Sequence, residues 1–212
     1  MDEIYSKLTD LILDWNEKIN VTAIRDRKEF YQKNIEDSLT IRVCPQFEAA
    51  KTVMDMGTGG GFPGLPLAIA YPDKEFLLVD SVAKKLTVVA DTAEKLGLAN
   101  VKTLHCRAED LPKEKKFDLV VSRAVANLST LSEYCLPFVK TGGYFIAYKT
   151  EDAMEEIRAA AKAMDILGGK PCDLIPDGIE GSGHLFVVVQ KVKETPKKYP
   201  RKAGEPSKKP LQ

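Results

Sequence analysis

At 212 residues, one core and one domain with room for a short extension are expected. Hydrophobic residues make up 44% and charged residues 29%, which excludes wholesale disorder, and the formal net charge is zero. No apolar run reaches the length of a membrane span, and MDEIYSKLTD lacks an export signal's pattern, so a cytoplasmic protein with no membrane partner is expected. Cys44, Cys106, Cys135 and Cys172 show no CxxC spacing and only His105 and His184 are present, so neither a disulfide framework nor a metal site is expected.

Residues 1–50 read as a helical extension. Ile4, Leu8, Leu11, Trp15 and Ile19 recur at spacings of three and four and leave one apolar stripe. A second helix is predicted from about Arg25 to Val43, ending near Pro45. From Thr52 the texture changes to short apolar runs alternating with helical patterns. TVMDMG, FLLVDS, VKTLHC, FDLVVS, GGYFIAYK and a late LFVVVQK read as strands, and helices are predicted at 64–71, 83–97, 127–139 and 151–165. This βαβ alternation predicts, over residues 51–192, a Rossmann-like α/β fold with a mostly parallel sheet covered on both faces. Ligands then bind at the carboxyl ends of the strands. Residues 193–212 form a basic tail. From Lys191 onward, eight Lys or Arg face only Glu194 and Glu205, so this stretch carries +6 and the rest of the chain −6. A proline-broken basic segment on an acidic body points to a polyanionic partner, most simply nucleic acid; a solvated tail without a role is the alternative.

The strongest local signal is DMGTGGGFPG at 55–64, where glycines follow the first strand and open a helix. Such a turn lets backbone approach a ligand closely. Gly59, Gly61 and Gly64 also fit a dinucleotide fingerprint. Asp55 favours adenosylmethionine instead, because a carboxylate two residues before Gly57 would attract the cationic methionine end and repel a pyrophosphate. Asp80 ends the second strand and is placed to accept from ribose hydroxyls, with Ser81 and Val82 lining the adenosine pocket. At the third strand's end, Glu109 or Asp110 could accept from the adenine amino group. The fourth strand ends in SRAVANL without the Pro-Pro-aromatic sequence that holds an amine, and Cys135 lacks the Pro-Cys context of a pyrimidine-attacking nucleophile. A ring nitrogen with an in-plane lone pair, such as guanine N7, fits that profile and needs no general base. Arg123 is then a positioning residue for phosphate, base or cofactor carboxylate, or else a structural ion-pair partner.

WNEKINVTAI (15–24), IEDSL (35–39), DMGTGGGFPGLPLAIAYP (55–72), LVDSVAKK (78–85), RAED (107–110), VVSRAVANL (120–128) and YPRKAGEPSKKPL (199–211) together resemble the bacterial RsmG family, also called glucose-inhibited division protein B. The resemblance spans nearly the whole chain. It implies a class I methyltransferase with a seven-stranded sheet, which uses S-adenosyl-L-methionine to methylate guanine N7 in 16S ribosomal RNA, near the decoding centre. It places the cofactor on Gly57, Phe62, Asp80, Ser81, Val82, Ala108, Glu109 and Arg123. The expected partner is 16S rRNA or the small ribosomal subunit, and the acting species a monomer. Asn34 stands where similar sequences usually show His, and Gly181–His184 lacks an Arg often found before the last strand; neither departure is expected at the cofactor pocket. The rival readings are a small NAD-dependent oxidoreductase and a non-catalytic RNA-binding module. The tail is expected to reach RNA in an extended path, and its loss to leave cofactor affinity nearly unchanged.

Overall fold

The computed structural model describes residues 2–123 and 126–211; of the predicted SRAVANL segment, Ala124 and Val125 lie outside the described residues. Seven strands form one sheet in the order β3-β2-β1-β4-β5-β7-β6. They are β1 (Thr52–Met56), β2 (Glu75–Asp80), β3 (Val101–His105), β4 (Phe117–Arg123), β5 (Val139–Thr150), β6 (Gly169–Pro176) and β7 (His184–Lys191). The pairs from β3 through β5 are parallel, and β7 runs antiparallel to both β5 and β6. The strand order reverses between β1 and β4, where α/β sheets open a crevice for ligands.

Burial explains why these runs became strands. Val53, Met54, Leu78, Val120, Val121, Phe145, Ile146, Val187 and Val188 are excluded from solvent, as central strands covered on both faces require. β6 is the exception. Its sequence GKPCDLIP is mostly exposed and its register against β7 shifts between Pro171 and Asp173, the marks of a sheet edge.

The helices α1 (Glu3–Asn16), α2 (Gly64–Ala70), α3 (Ala83–Lys95), α4 (Leu128–Cys135) and α5 (Met154–Ile166) supply the layers. Leu8 and Ile12 of α1 bury in the same core as Leu65 of α2 and Val89 of α3. Trp15 Nε1 donates to Asp91 Oδ2 on α3 at 2.6 Å; the face of α1 that docks is Tyr5, Leu8 and Ile12, whereas Ile4 of the predicted stripe is exposed and Ile19 lies beyond the helix. No helix among the described residues is long and apolar enough to cross a membrane.

The predicted 25–43 helix is instead a broken path. An α-helical turn at Arg27–Phe30 runs into a π-helix at Tyr31–Glu36, then an α turn at Asp37–Leu39 and a 3-10 turn at Thr40–Val43. Pro45 does not only end this path; it opens the next short helix, Pro45–Ala49, at the position where a missing N–H costs nothing.

At the other end, Lys191 is fully buried, and its ammonium donates to Leu136 O and Leu167 O at 2.8 Å and to Thr195 Oγ1. Burial pulls this ammonium down to about 7. From there the chain crosses the body and ends in a short helix, α6 (Glu205–Lys208). The expected extended tail is therefore a docked strap. Tyr199 and Pro206 are buried, and Arg201 meets Glu133, a fully buried carboxylate on α4.

Candidate functional site

A cavity of about 590 Å³ opens at the carboxyl ends of β1, β2, β3 and β4, within the range of small-molecule sites. Gly57, Phe62, Asp80, Ser81, Val82, Ala108, Glu109 and Arg123 all line it, so the structure brings the eight residues singled out in the sequence to one place.

The glycine turn leaves β1 and folds over the end of β2. Gly57 and Thr58 donate their N–H groups to Val79 O at 2.9 and 3.0 Å. Gly57 has φ +74°, a conformation in which a side chain is strained. Gly64 serves packing instead: a Cβ there would stand 2.0 Å from Leu78 Cδ2 and 2.9 Å from Asp55 Oδ2. Only without it can α2 start against β2.

Two carboxylates set the turn's shape. Asp80 Oδ2 accepts from Gly59 N–H at 2.8 Å, and Oδ1 from Val82 N–H at 2.8 Å. Each oxygen keeps a lone pair for a further donor. Asp55 is not where the sequence placed it. It is fully buried and does not line the cavity, and its Oδ2 accepts from Thr58 Oγ1 at 2.6 Å and Gly64 N–H at 2.9 Å. Burial pushes its carboxyl up to about 6, against the lowering influence of those two hydrogen bonds. It fixes the turn from beneath, outside the cavity lining. An aspartate before a glycine turn reads the same in sequence whether it faces outward or inward.

Glu109 and Ala108 lie in a 3-10 turn after β3, and Glu109 Oε1 accepts from Gly204 N–H at 3.0 Å. Gly204 and Ser207 of the strap line the cavity with Tyr134 of α4. The expectation that earlier strand ends alone build the pocket is thereby corrected. In the sequence this contact is signalled by the tail motif YPRKAGEPSKKPL, whose charge is legible while the role of Gly204 appears only in the fold.

Arg123 ends β4 and reaches the irregular N-terminal path. It donates to Asp37 Oδ2 at 2.7 Å, Lys33 O at 3.0 Å and Asn34 Oδ1 at 2.9 Å, and its guanidinium lies 5.7 Å from the centre of the Phe62 ring. Asn34 therefore does touch the cofactor cavity, contrary to expectation. Val21 and Thr22 reach it too. Their N–H groups donate to Asn16 Oδ1 at 2.8 and 3.0 Å, which folds the turn after α1 over the glycines.

A second cavity of about 630 Å³ adjoins the first and shares Asn34 and Arg123 with it. Asp177 and His184 line its far side, and His184 Nδ1 stands 3.1 Å from Asp37 Oδ1. Asn34 Nδ2 and Asp177 Oδ2 are buried without a hydrogen-bond partner. Cys135 lies at neither cavity, and burial raises its thiol well above the ordinary range, so it is no nucleophile.

A glycine turn after β1, a carboxylate at the end of β2 and this strand order define a class I methyltransferase. The solved structures agree. The chain resembles a ribosomal protein L11 methylase from Lactobacillus delbrueckii subsp. bulgaricus (TM-score 0.56, 17% identity, 74% of this chain and 77% of that one). It also resembles the 16S rRNA methyltransferase KamB (TM-score 0.55, 16% identity, 68% and 88%). At these identities the likeness is one of fold.

Sequence relatives are far nearer. Residues 1–177 match the family described as GidB, rRNA small subunit methyltransferase G. The ribosomal RNA small subunit methyltransferase G of Clostridium novyi (strain NT) is 48% identical over 208 residues, covering 95% of this chain and 86% of that protein. That of Clostridium perfringens (strain 13 / Type A) is 47% identical over 95% and 87%. The chain belongs to this family of S-adenosylmethionine-dependent ribosomal RNA methyltransferases. The oxidoreductase and non-catalytic readings are not favoured.

The cavity fits that methyl donor. A Cβ built on Gly59 would project into open space, so the turn leaves room beside its backbone. The carboxylates of Asp80 and Glu109 suit hydroxyl and amino donors.

Proposed function

We propose that this chain methylates N7 of a guanine in 16S ribosomal RNA, with the donor in the glycine-turn cavity and the acceptor base in the adjoining one. In this reading Asp80 accepts from the ribose hydroxyls, Ser81 and Val82 flank the adenosine, and Ala108 and Glu109 mark the adenine end. Gly57 and Phe62 bound the methionine end, and Arg123 holds the boundary to the acceptor side. The acting species is the monomer, free in the cytoplasm.

One observation carries the choice of acceptor atom. The two residues shared by both cavities are an amide and a guanidinium, Asn34 and Arg123, and neither can take a proton, whereas Asp177 and His184, which can, line only the second cavity. When bound, the cofactor supplies an electrophilic methyl group on a sulfonium. Guanine N7 presents an in-plane lone pair with no proton to remove, so alignment and exclusion of water are what the chain must provide. Arg123, fixed by Asp37 and stacked near Phe62, keeps the boundary in place.

The test is methyl transfer from labelled S-adenosylmethionine to bacterial 16S rRNA and to small subunits, with the modified atom mapped. Label at guanine N7 is expected, with a rate that is flat in the chemical step between pH 6 and 8. Label on an exocyclic amine or a pyrimidine carbon would overturn the assignment. Light scattering checks the monomer.

A further inference from the structure

The strap that crosses the body after β7 meets the methyl-donor cavity through atoms whose partners are all accounted for. Arg201 clasps Glu133 with both backbone and side chain. Its N–H and Nε donate to Oε1 at 2.8 and 3.0 Å, and its Nη2 to Oε2 at 2.6 Å. Glu133 is wholly excluded from solvent, so its charge depends on this pair for compensation. Thr130 Oγ1 donates to Pro206 O at 3.0 Å and secures the strap a second time. Between these two anchors lies Gly204, with φ +82°. Its N–H is thereby delivered to Glu109 Oε1, and Ser207, one turn on, faces the same cavity.

We infer that the strap is part of the methyl-donor site: Gly204 and Ser207 wall its adenine end, and Arg201 is a positioning residue acting through Glu133. The inference rests on the proposal that Glu109 marks the adenine end. Gly204 occupies one oxygen of Glu109 and so orients the carboxylate, leaving the other for the adenine amino group. Strap docking and cofactor binding then favour each other, because each presupposes the same position of Glu109. The donor site is complete only when the strap is folded on the body.

The experiment uses the full chain and S-adenosylmethionine. Calorimetry is run on the wild type, Arg201→Ala, Arg201→Lys and Ser207→Trp, with hydrogen exchange of the wild type with and without cofactor. Arg201→Ala is expected to raise Kd by about 5- to 150-fold, the usual span of such couplings, and Arg201→Lys to recover part of the loss. Ser207→Trp, at an exposed position, fills the cavity's rim and is also expected to raise Kd. In the wild type, amides between 199 and 208 are expected to exchange more slowly once cofactor is bound. Ser207→Trp and the exchange measurement decide the matter even where Arg201→Ala fails to fold. A wild type that binds cofactor, with Ser207→Trp within about twofold of it and strap exchange unchanged, overturns the inference. A wild type that does not bind S-adenosylmethionine overturns the cofactor reading, and this inference with it.

Discussion

The donor cavity has two flanks, and they are built differently. On the C-terminal flank, Glu133 has both oxygens occupied by Arg201, and the strap fits without an orphaned polar atom on either member of that pair. On the N-terminal flank, Arg123 is shared among Asp37, Lys33 and Asn34, while the Asn34 amide nitrogen is buried without a hydrogen-bond partner. A buried polar group left unpaired costs about 1–3 kcal/mol, and a group that completes it on binding would recover that cost. The difference separates the two tasks of the protein. In the proposed reading the satisfied flank fixes the donor, and the unsatisfied flank, which includes a π-helical segment, faces the acceptor.

The largest effect should come from breaking the satisfied flank. Arg201→Ala strips the guanidinium from the buried Glu133 carboxylate and leaves it only the backbone N–H of residue 201, which is expected to cost about 3–5 kcal/mol of folding stability. Asn34→Ala removes an amide already short of one partner, and about 1–2 kcal/mol is expected. Urea unfolding of both variants ranks the flanks. Equal losses would erase the distinction between them.

Between the flanks, Asp55 provides a pH-dependent check. Its carboxyl is held up to about 6 by burial, above the 3.8 of a free side chain. The native state therefore binds this proton more tightly than the unfolded chain. Its contribution to stability is full below about pH 4 and is lost as pH rises through 6. Asp55→Asn retains an oxygen for Thr58 and Gly64 but does not titrate. The stability of wild type minus variant is expected to fall by up to about 3 kcal/mol between pH 4 and pH 7. A difference independent of pH would show that the native site does not favour the protonated acid.

On the donor side itself, Asp80→Ala removes the acceptor of Gly59 and Val82 and the proposed acceptor of the ribose. Cofactor affinity is expected to weaken by about 1–3 kcal/mol, read by calorimetry. An unchanged affinity would move the ribose elsewhere and break the assignment of the cavity.

What was legible in the sequence, and what was not, follows the same physics. Buried strands such as FLLVDS and FDLVVS announce themselves because both faces need apolar residues. β6 does not: its exposed GKPCDLIP carries a Lys, an Asp and two Pro, and it was absent from the runs read as strands. Local periodicity cannot show a π-helix, so residues 31–36 looked like ordinary helix. The eight candidate cofactor residues were legible because they follow strand ends in motifs. Tyr134, Gly204 and Ser207 were not, because only the tertiary path of the strap brings them to the cavity. The tail's charge was likewise visible, while the buried carboxylate that consumes Arg201 was not.

The smallest effects per residue belong to the strap's outer face. Of its basic groups, Arg201 is spent on Glu133, but Lys197, Lys198, Lys202, Lys208 and Lys209 are exposed. They stand on an element that also walls the donor cavity, so RNA bound along them would lie beside the methyl donor. Replacing them one at a time with Gln leaves the anchors at Glu133 and Thr130 untouched, and cofactor Kd should not move. Each lysine that meets a phosphate of single-stranded RNA should lower the log–log salt slope of RNA affinity by about 0.7 when lost. Filter binding across a salt series measures this directly. Lysines that contribute will be marked by a shallower slope at constant cofactor affinity. If all five replacements together leave the slope unchanged, the strap serves the donor alone and RNA is held by the N-terminal flank, which would make the contrast between the two sides complete.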